Sequence, residues 1–583
     1  MADTHTQLPR ATHPRLGLLA WLALTLPAAW FLSPALDPVH VEGFTGSIVA
    51  LGLHLANGTL GAFDPGQPLN AEYFGLTKLG AVLGVAGLAG LGMSGDAAMR
   101  LLMWIGFALL LGGSMRLIRE WSGAPWWAGA LALLLMPGVA ESAFFFNDNV
   151  LSAGLFALAL ALFFARQGVA ASIAAGVLIG LAVAVRTDTI ILSLAVPLMA
   201  AERQGVTAGA VRSSVIAGLA AVATLFALFA PFGATPFDAL KIGSVAVSTW
   251  DRPPDFARHA LELAYFGGIP AGLLAAFGVL ALMRERRWLR LGLLAGLPAL
   301  FNLALLGSLW EVRQFLALTP FLGALVALGI MRLVEEGRAR RWTLPLALAV
   351  TTLLVWAGPL KVQMLADGPR ALVGRVHGIP LWKNWQESVR QDFRAIDGAI
   401  GAATPGAPVV LISDNWNEDR YLHLRLVESG FGPGAAALPA PCAAIGEAMR
   451  KGGRTVVHLR LQHGFVPYWA ELQADRLERF AMPCIQAVRP ERVLLLGPAG
   501  RLEELVGAER LRHVRAPWID PRLTEMHLSP TVAVELSPEL LTQFAAAYRR
   551  AGDAEARAQR RAPKRLEEGN AATAARLQTA FSP

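Results

Sequence analysis

The sequence predicts a polytopic α-helical membrane protein with a C-terminal α/β domain, on three observations. Of its 583 residues, 54% are hydrophobic and only 16% are charged, where soluble domains carry about a quarter charged residues. Long apolar runs recur from Leu16 to Ala357 and then stop. Beyond Pro359 the chain is more polar, and short apolar runs alternate with helical patterns. These shifts divide the chain into a transmembrane module over 1–359, an α/β domain over 360–550 and a polar, flexible tail over 551–583 rich in Ala, Arg and Glu.

The first span is Leu16–Leu36, and no small-residue cleavage site follows it, so it reads as a retained anchor. Further apolar runs cover Gly75–Met93, Ala97–Leu117, Trp126–Ala140, Val150–Ala165, Ala170–Val185, Thr189–Ala201, Val215–Ala230, Gly267–Met283, Leu291–Gly307, Phe315–Met331 and Leu344–Ala357. Several approach the ~20 residues needed to cross ~30 Å of hydrocarbon. Charge decides which of them cross. Arg10 and Arg15 place the N-terminus in the cytoplasm. If Gly75–Met93 lies along the outer interface, the arginine-rich loops with Arg116, Arg119, Arg203, Arg212, Arg284, Arg286, Arg287, Arg290, Arg338, Arg340 and Arg341 all face inward. If it crosses, they all face outward. The first arrangement leaves about eleven transmembrane helices and puts the C-terminal domain on the outer, periplasmic side. The net charge of +8 is explained by this orientation and is no sign of a nucleic-acid partner.

The same topology sorts the acids. Asp37, Glu42, Asp148 and Asp188 fall at outer span ends, with Arg186 and Arg313 beside them. The segment DPVHVEGF (37–44) follows the first span directly and carries Asp37, His40 and Glu42. A long outer loop, Pro231–Tyr265, holds Lys241, Trp250, Arg252 and His259 and is too long for a simple connection. Asp148, between Asn147 and Asn149, is placed either to start a helix or to act as a second acid. Arg186 is placed to pair with Asp188, and Arg313 with Glu311; either planar guanidinium also suits a phosphate.

In the outer domain APVVLISD (407–414), RTVVHLRL (454–461) and ERVLLLG (491–497) read as strands, with helices over Cys442–Lys451 and Leu502–Leu511. SDNWNEDRY (413–421) reads either as a solvated loop and helix start or as a polar cluster after a strand that touches an acceptor. GPAG (497–500) is a short fragment of a phosphate-loop pattern. The two cysteines, Cys442 and Cys484, are free to pair or to remain separate buried thiols.

Four local patterns, in order and on one side, resemble the GT-C superfamily of membrane glycosyltransferases, of the polyprenyl-phosphate-sugar-dependent mannosyltransferase and aminoarabinose transferase type. They are DPVHVEGF (37–44), ESAFFFNDN (141–149), GVLIGLAVAVRTDTIILSLAVPL (176–198) and EVRQFLALTPFLGALVALG (311–329). Two departures stand out. The acids of the first loop are not adjacent, and AEYFGLTKL (71–79) lacks the prolines many relatives have there. The resemblance implies an inverting hexosyl or pentosyl transferase of the bacterial inner membrane. It implies a donor sugar on a polyprenyl phosphate, a glycan, lipid or protein acceptor, and a carboxylate base in the first outer loop.

The chemistry asks for a base to take the acceptor's proton and a cation to hold the departing phosphate. Glu42 and Asp37 are the candidate bases, with Asp148 a further catalytic carboxylate. His40, Arg186, Arg313, Lys241, Arg252 and His259 are candidates for carrier or substrate binding. Oxygen ligands from three carboxylates suit a divalent cation, Mg or Mn, which the sequence does not establish. A transporter or flippase of a lipid-linked glycan and a non-catalytic envelope-assembly subunit are the competing readings. A transporter would place ionisable residues near mid-bilayer and show repeated halves, and neither feature is present in the sequence.

Overall fold

The computed structural model describes residues 43–60, 74–136, 138–139, 148–165, 168–249, 256–306, 312–335, 391–434, 438–461, 470–507 and 529–559. The first span, Asp37, His40, Glu42, Arg252, Glu311 and the run Leu344–Ala357 therefore lie outside the described residues. The described residues form two compact units. One holds 101–240 with 256–335, and the other 43–100 with 241–249 and 391–559.

In chain order the helices begin with α1 (Gly43–Ala56) and α2 (Leu79–Gly90), both in the second unit, then α3 (Gly95–Ser122) and α4 (Trp126–Leu134). Next come α5 (Asn149–Ala165), α6 (Val169–Val185), a 3-10 turn over Thr187–Leu194, α7 (Ala195–Gln204) and α8 (Ala208–Phe229). They are followed by α9 (Pro236–Thr249), α10 (Phe256–Gly267), α11 (Ile269–Arg284) and α12 (Trp288–Ala304), the last widened at Gly292–Gly296. A 3-10 turn over Val312–Leu318 leads into α13 (Thr319–Glu335). The stretches Gly95–Ser122, Ala208–Phe232 and Arg313–Glu335 are long and apolar enough to cross a membrane. At about 1.5 Å per residue α2 reaches only about 18 Å, short of the ~30 Å of hydrocarbon.

The helical unit packs by close backbone approach. A Cβ at Gly180 of α6 would meet the Ala221 carbonyl of α8 at 2.7 Å, so the glycine allows the two helices to touch. On the opposite face of α8, Val211, Val215, Leu219, Val222 and Phe226 are exposed at helical spacing. An apolar stripe turned away from the packed interior is what a lipid-facing helix presents.

The second unit contains a seven-stranded sheet in the order β1-β7-β6-β2-β5-β4-β3. Its strands are β1 (Gln391–Asp392), β2 (Val409–Ser413), β3 (Gly432–Pro433), β4 (Gly446–Lys451), β5 (Arg454–Arg460), β6 (Arg492–Pro498) and β7 (Ser529–Glu535). The central strand β2 runs parallel to both β5 and β6 and is buried along its whole length, as the unbroken apolar run VVLI requires. Helix α14 (Arg394–Gly401) precedes β2, and α15 (Trp416–Glu428) follows it, capped by the Asn415 side chain, which accepts from the Asn417 and Glu418 amides. Against the sheet lie α16 (Ala440–Ile445), α17 (Ala470–Arg476), α18 (Met482–Val488), α19 (Ala499–Val506) and α20 (Pro538–Gln559).

One expected element is corrected. Cys442–Lys451 is not a single helix; it is α16 followed by β4, which pairs antiparallel with β5. The break falls at Gly446, pressed so closely on the His458 carbonyl that a side chain there has no room. The helical pattern at the start of the tail is also longer than a fraying end, since α20 continues to Gln559. Cys442 and Cys484 form a disulfide that ties α16 to α18 across a separation of 42 residues.

Candidate active site

Asp148 precedes the first residue of α5, and its side chain is 6% exposed. Arg186 ends α6 in an extended conformation (φ −148°, ψ 114°), which turns the chain into the 3-10 segment carrying Asp188. Its guanidinium grips Asp188 with two hydrogen bonds, Nε to Oδ1 at 3.1 Å and an Nη to Oδ2 at 2.7 Å. A second Nη faces Asp148 Oδ2 at 3.6 Å. Just inside, Ser152 Oγ bonds the Ala182 carbonyl at 2.9 Å and lies 2.8 Å from Thr189 Oγ1, locking α5, α6 and the turn together. The expected Arg186–Asp188 pair is present, and the structure adds Asp148 to it.

The other sequence candidates among the described residues are His259, Arg313 and Lys241. His259 on α10 is 8% exposed; its Nε2 is 2.9 Å from Asn302 Oδ1, and its ring meets Phe315 edge-on. Burial lowers its pKa, and the bond to Asn302 opposes the shift. Arg313 is half-buried in the Val312–Leu318 turn, which packs on α5. Lys241 is exposed on α9. Among the described residues no group of three or more His, Cys, Asp and Glu is arranged to hold a metal ion.

Sequence reasoning missed a buried polar network in the second unit. SDNWNEDRY is not a solvated loop: Ser413, Asp414, Glu418, Asp419 and Arg420 are all buried. Asp419 Oδ1 accepts from Arg460 Nε at 2.7 Å, and its Oδ2 accepts from Arg420 at 2.6 Å. Glu447 Oε1 accepts from Arg460 at 2.7 Å and lies 2.7 Å from His423 Nδ1 and 3.3 Å from His458 Nδ1. His458 Nε2 is 3.1 Å from Ser413 Oγ. That Ser–His–Glu order imitates a hydrolytic triad, but all three are sealed from solvent, and Ser413 also bonds the Leu459 carbonyl. The network is structural. Against the upward push of burial, Arg460 and His423 hold Glu447 well below the usual carboxylate range, and Arg420 and Arg460 hold Asp419 near 2. The signal in the sequence was His458 and Arg460 at alternate positions of an apolar strand, both facing inward.

Beside it, Asp414 receives hydrogen bonds from Gln473 (3.0 Å) and the Tyr548 hydroxyl, and Thr531 Oγ1 donates to Glu418 Oε1 at 3.0 Å. Burial, then the nearby Asp414, raises the Glu418 pKa to about 8.

No protein-family profile matches the chain, and no curated protein does. Among solved structures it is similar to ArnT from Cupriavidus metallidurans bound to undecaprenyl phosphate, at 16% identity and a TM-score of 0.49 over 90% of this chain and 98% of that one. It is similar to the same protein in the apo state at 15% identity and a TM-score of 0.49, over 90% and 99%. It is also similar to the Archaeoglobus fulgidus oligosaccharyltransferase in complex with Zn and sulfate, at 15% identity and 0.46 over 85% and 68%. At this identity and overlap no chemistry is carried across, and the functional reading rests on this chain's own residues.

Proposed function

We propose that this chain is a membrane glycosyltransferase that moves a sugar from a polyprenyl-phosphate carrier to an acceptor on the outer face of a bacterial inner membrane. The observation that carries the reading is the Asp148–Arg186–Asp188 group, with Asp148 buried and the other two half-buried, at the ends of two apolar helices. Charges in such a place are costly unless they are used or paired, and here one guanidinium faces two carboxylates. The acidic first outer loop supplies the second half of the argument, from sequence.

In the reaction, Glu42 or Asp37 takes the proton of the acceptor hydroxyl or amine as its lone pair attacks the sugar C1. The bond from C1 to the phosphate oxygen breaks, the polyprenyl phosphate leaves with the electron pair, and the sugar carbon inverts. Asp148, held in place by Arg186, orients the acceptor through a hydrogen bond. Arg313 and the loop residues His40, Lys241, Arg252 and His259 are the groups available to the carrier and substrate. Two features support an outward-facing C-terminal domain: the arginine distribution of the loops and the Cys442–Cys484 disulfide, a bond that persists in oxidising compartments.

The test is transfer in proteoliposomes, with labelled polyprenyl-phosphate sugars and membrane extract as acceptor. Asp148→Asn and Arg186→Ala are expected to lower the rate about 100-fold. Either Glu42→Gln or Asp37→Asn is expected to abolish transfer. Folded wild-type protein inactive with every donor, or undiminished transfer in all four variants, overturns the reading.

A further inference from the structure

Helix α1 begins at Gly43, the residue after Glu42, so whatever holds α1 also sets where the first outer loop ends. Within the second unit α1 packs on α2 and on α15, with Gly46 against the Arg420 backbone. The start of α3 is tied to the same helix, because the Asp96 amide donates to Glu428 Oε1 of α15 at 3.2 Å. In the last turn of α1, His54 Nε2 lies 3.0 Å from His423 Nε2 of α15, and both residues are buried.

Two imidazole nitrogens at that distance share one proton. With two N–H groups they would repel, and with none there would be no bond. Each ring is held from its far side. His423 Nδ1 is 2.7 Å from Glu447 Oε1, which the Arg460–Asp419 pair anchors to the sheet. His54 Nδ1 is 2.9 Å from Thr59 Oγ1. The result is a continuous polar chain from β4 and β5 through α15 into α1. A core built only for packing would fill that position with an apolar side chain at lower desolvation cost.

We propose that His54 and His423 are positioning residues: the C-terminal domain holds α1 through this histidine pair and so sets the first outer loop for catalysis. The inference rests on the glycosyl-transfer reading, with the base in that loop. It gives the C-terminal domain a part in the reaction without a reacting group of its own.

The test compares full-length protein in lipid nanodiscs by hydrogen–deuterium exchange mass spectrometry and by transfer kinetics. In His54→Ala and His423→Ala, exchange of the 43–56 amides is expected to rise roughly tenfold, since each leaves a buried imidazole without its partner. The kcat is expected to fall at least about tenfold, with KM for the donor within about twofold, as misplacement of a catalytic group requires. His54→Gln keeps a donor for His423 and is expected to restore both. If the alanine variants do not fold, His54→Leu, which keeps volume and drops the bond, carries the comparison. Exchange unchanged in the variants, or raised exchange with unchanged kcat, overturns the proposal. Wild-type protein without transfer would sink the glycosyl-transfer reading and positioning with it, whereas unchanged exchange would sink positioning alone.

Discussion

Two buried residues make opposite demands on pH. Glu418 keeps its proton in the folded protein up to about pH 8, whereas the unfolded carboxyl loses it near 4.5. The folded state therefore binds more protons across that window, and stability falls as pH rises through it. His54 is the reverse case. Burial, then the neighbouring His423, lowers its pKa from 6.5 to about 4, with Glu447 and the Thr59 bond opposing. Between those values the unfolded chain binds the extra proton, so stability falls as pH drops. The charged and titratable groups facing it from α15, β4 and β5 include Asp419, Arg420, His423, Arg425, Glu428, Glu447, His458 and Arg460, and they form pairs with one another. Melting temperature measured against pH is expected to be highest where the two windows overlap, between about 4.5 and 6.5, and to fall on either side. Glu418→Gln should flatten the alkaline side and His54→Gln the acid side. A Glu418→Gln profile that still falls from about pH 6.5 to 8 would remove Glu418 as the cause.

At the scale of elements, the sheet is held by an apolar core on one side of β2 and a salt-bridged one on the other. Replacing Glu447 with Ala takes one of its two carboxylate partners from buried Arg460 and the Nδ1 partner from buried His423, at a cost of about 3–5 kcal/mol, while an exposed pair such as Arg479–Asp475 should matter by under about 1 kcal/mol. Chemical denaturation of the two variants separates these outcomes. Cys442→Ser with Cys484→Ser opens the tie between α16 and α18 and is expected to remove about 2–4 kcal/mol. The stability of the double variant should then be indifferent to dithiothreitol, while the parent's is not. The strands β2, β5 and β6 were legible because unbroken apolar runs of that length have few alternatives. The turn from α16 into β4 was not. Its cause is one glycine meeting a carbonyl from a strand that comes later in the chain.

For the whole molecule, the claim open to test is orientation. A cysteine introduced at exposed Arg454 is expected to react with a membrane-impermeant maleimide in right-side-out vesicles, and one at Arg286, in an arginine-rich loop, only after permeabilisation. The reverse pattern would invert the topology and with it the compartment of the proposed reaction. Local composition determined the helical character of the membrane part, the strands of the C-terminal domain and the arginine bias of the loops, because hydropathy, periodicity and charge are properties of neighbours in sequence. Tertiary structure alone decided three things. It joined Asp148 to the Arg186–Asp188 pair, closed the Cys442–Cys484 bond, and brought His54 to His423 across 369 residues of chain. Each of these depends on distance in space between groups whose partners are not written near them, and burial then sets the charge each one can carry.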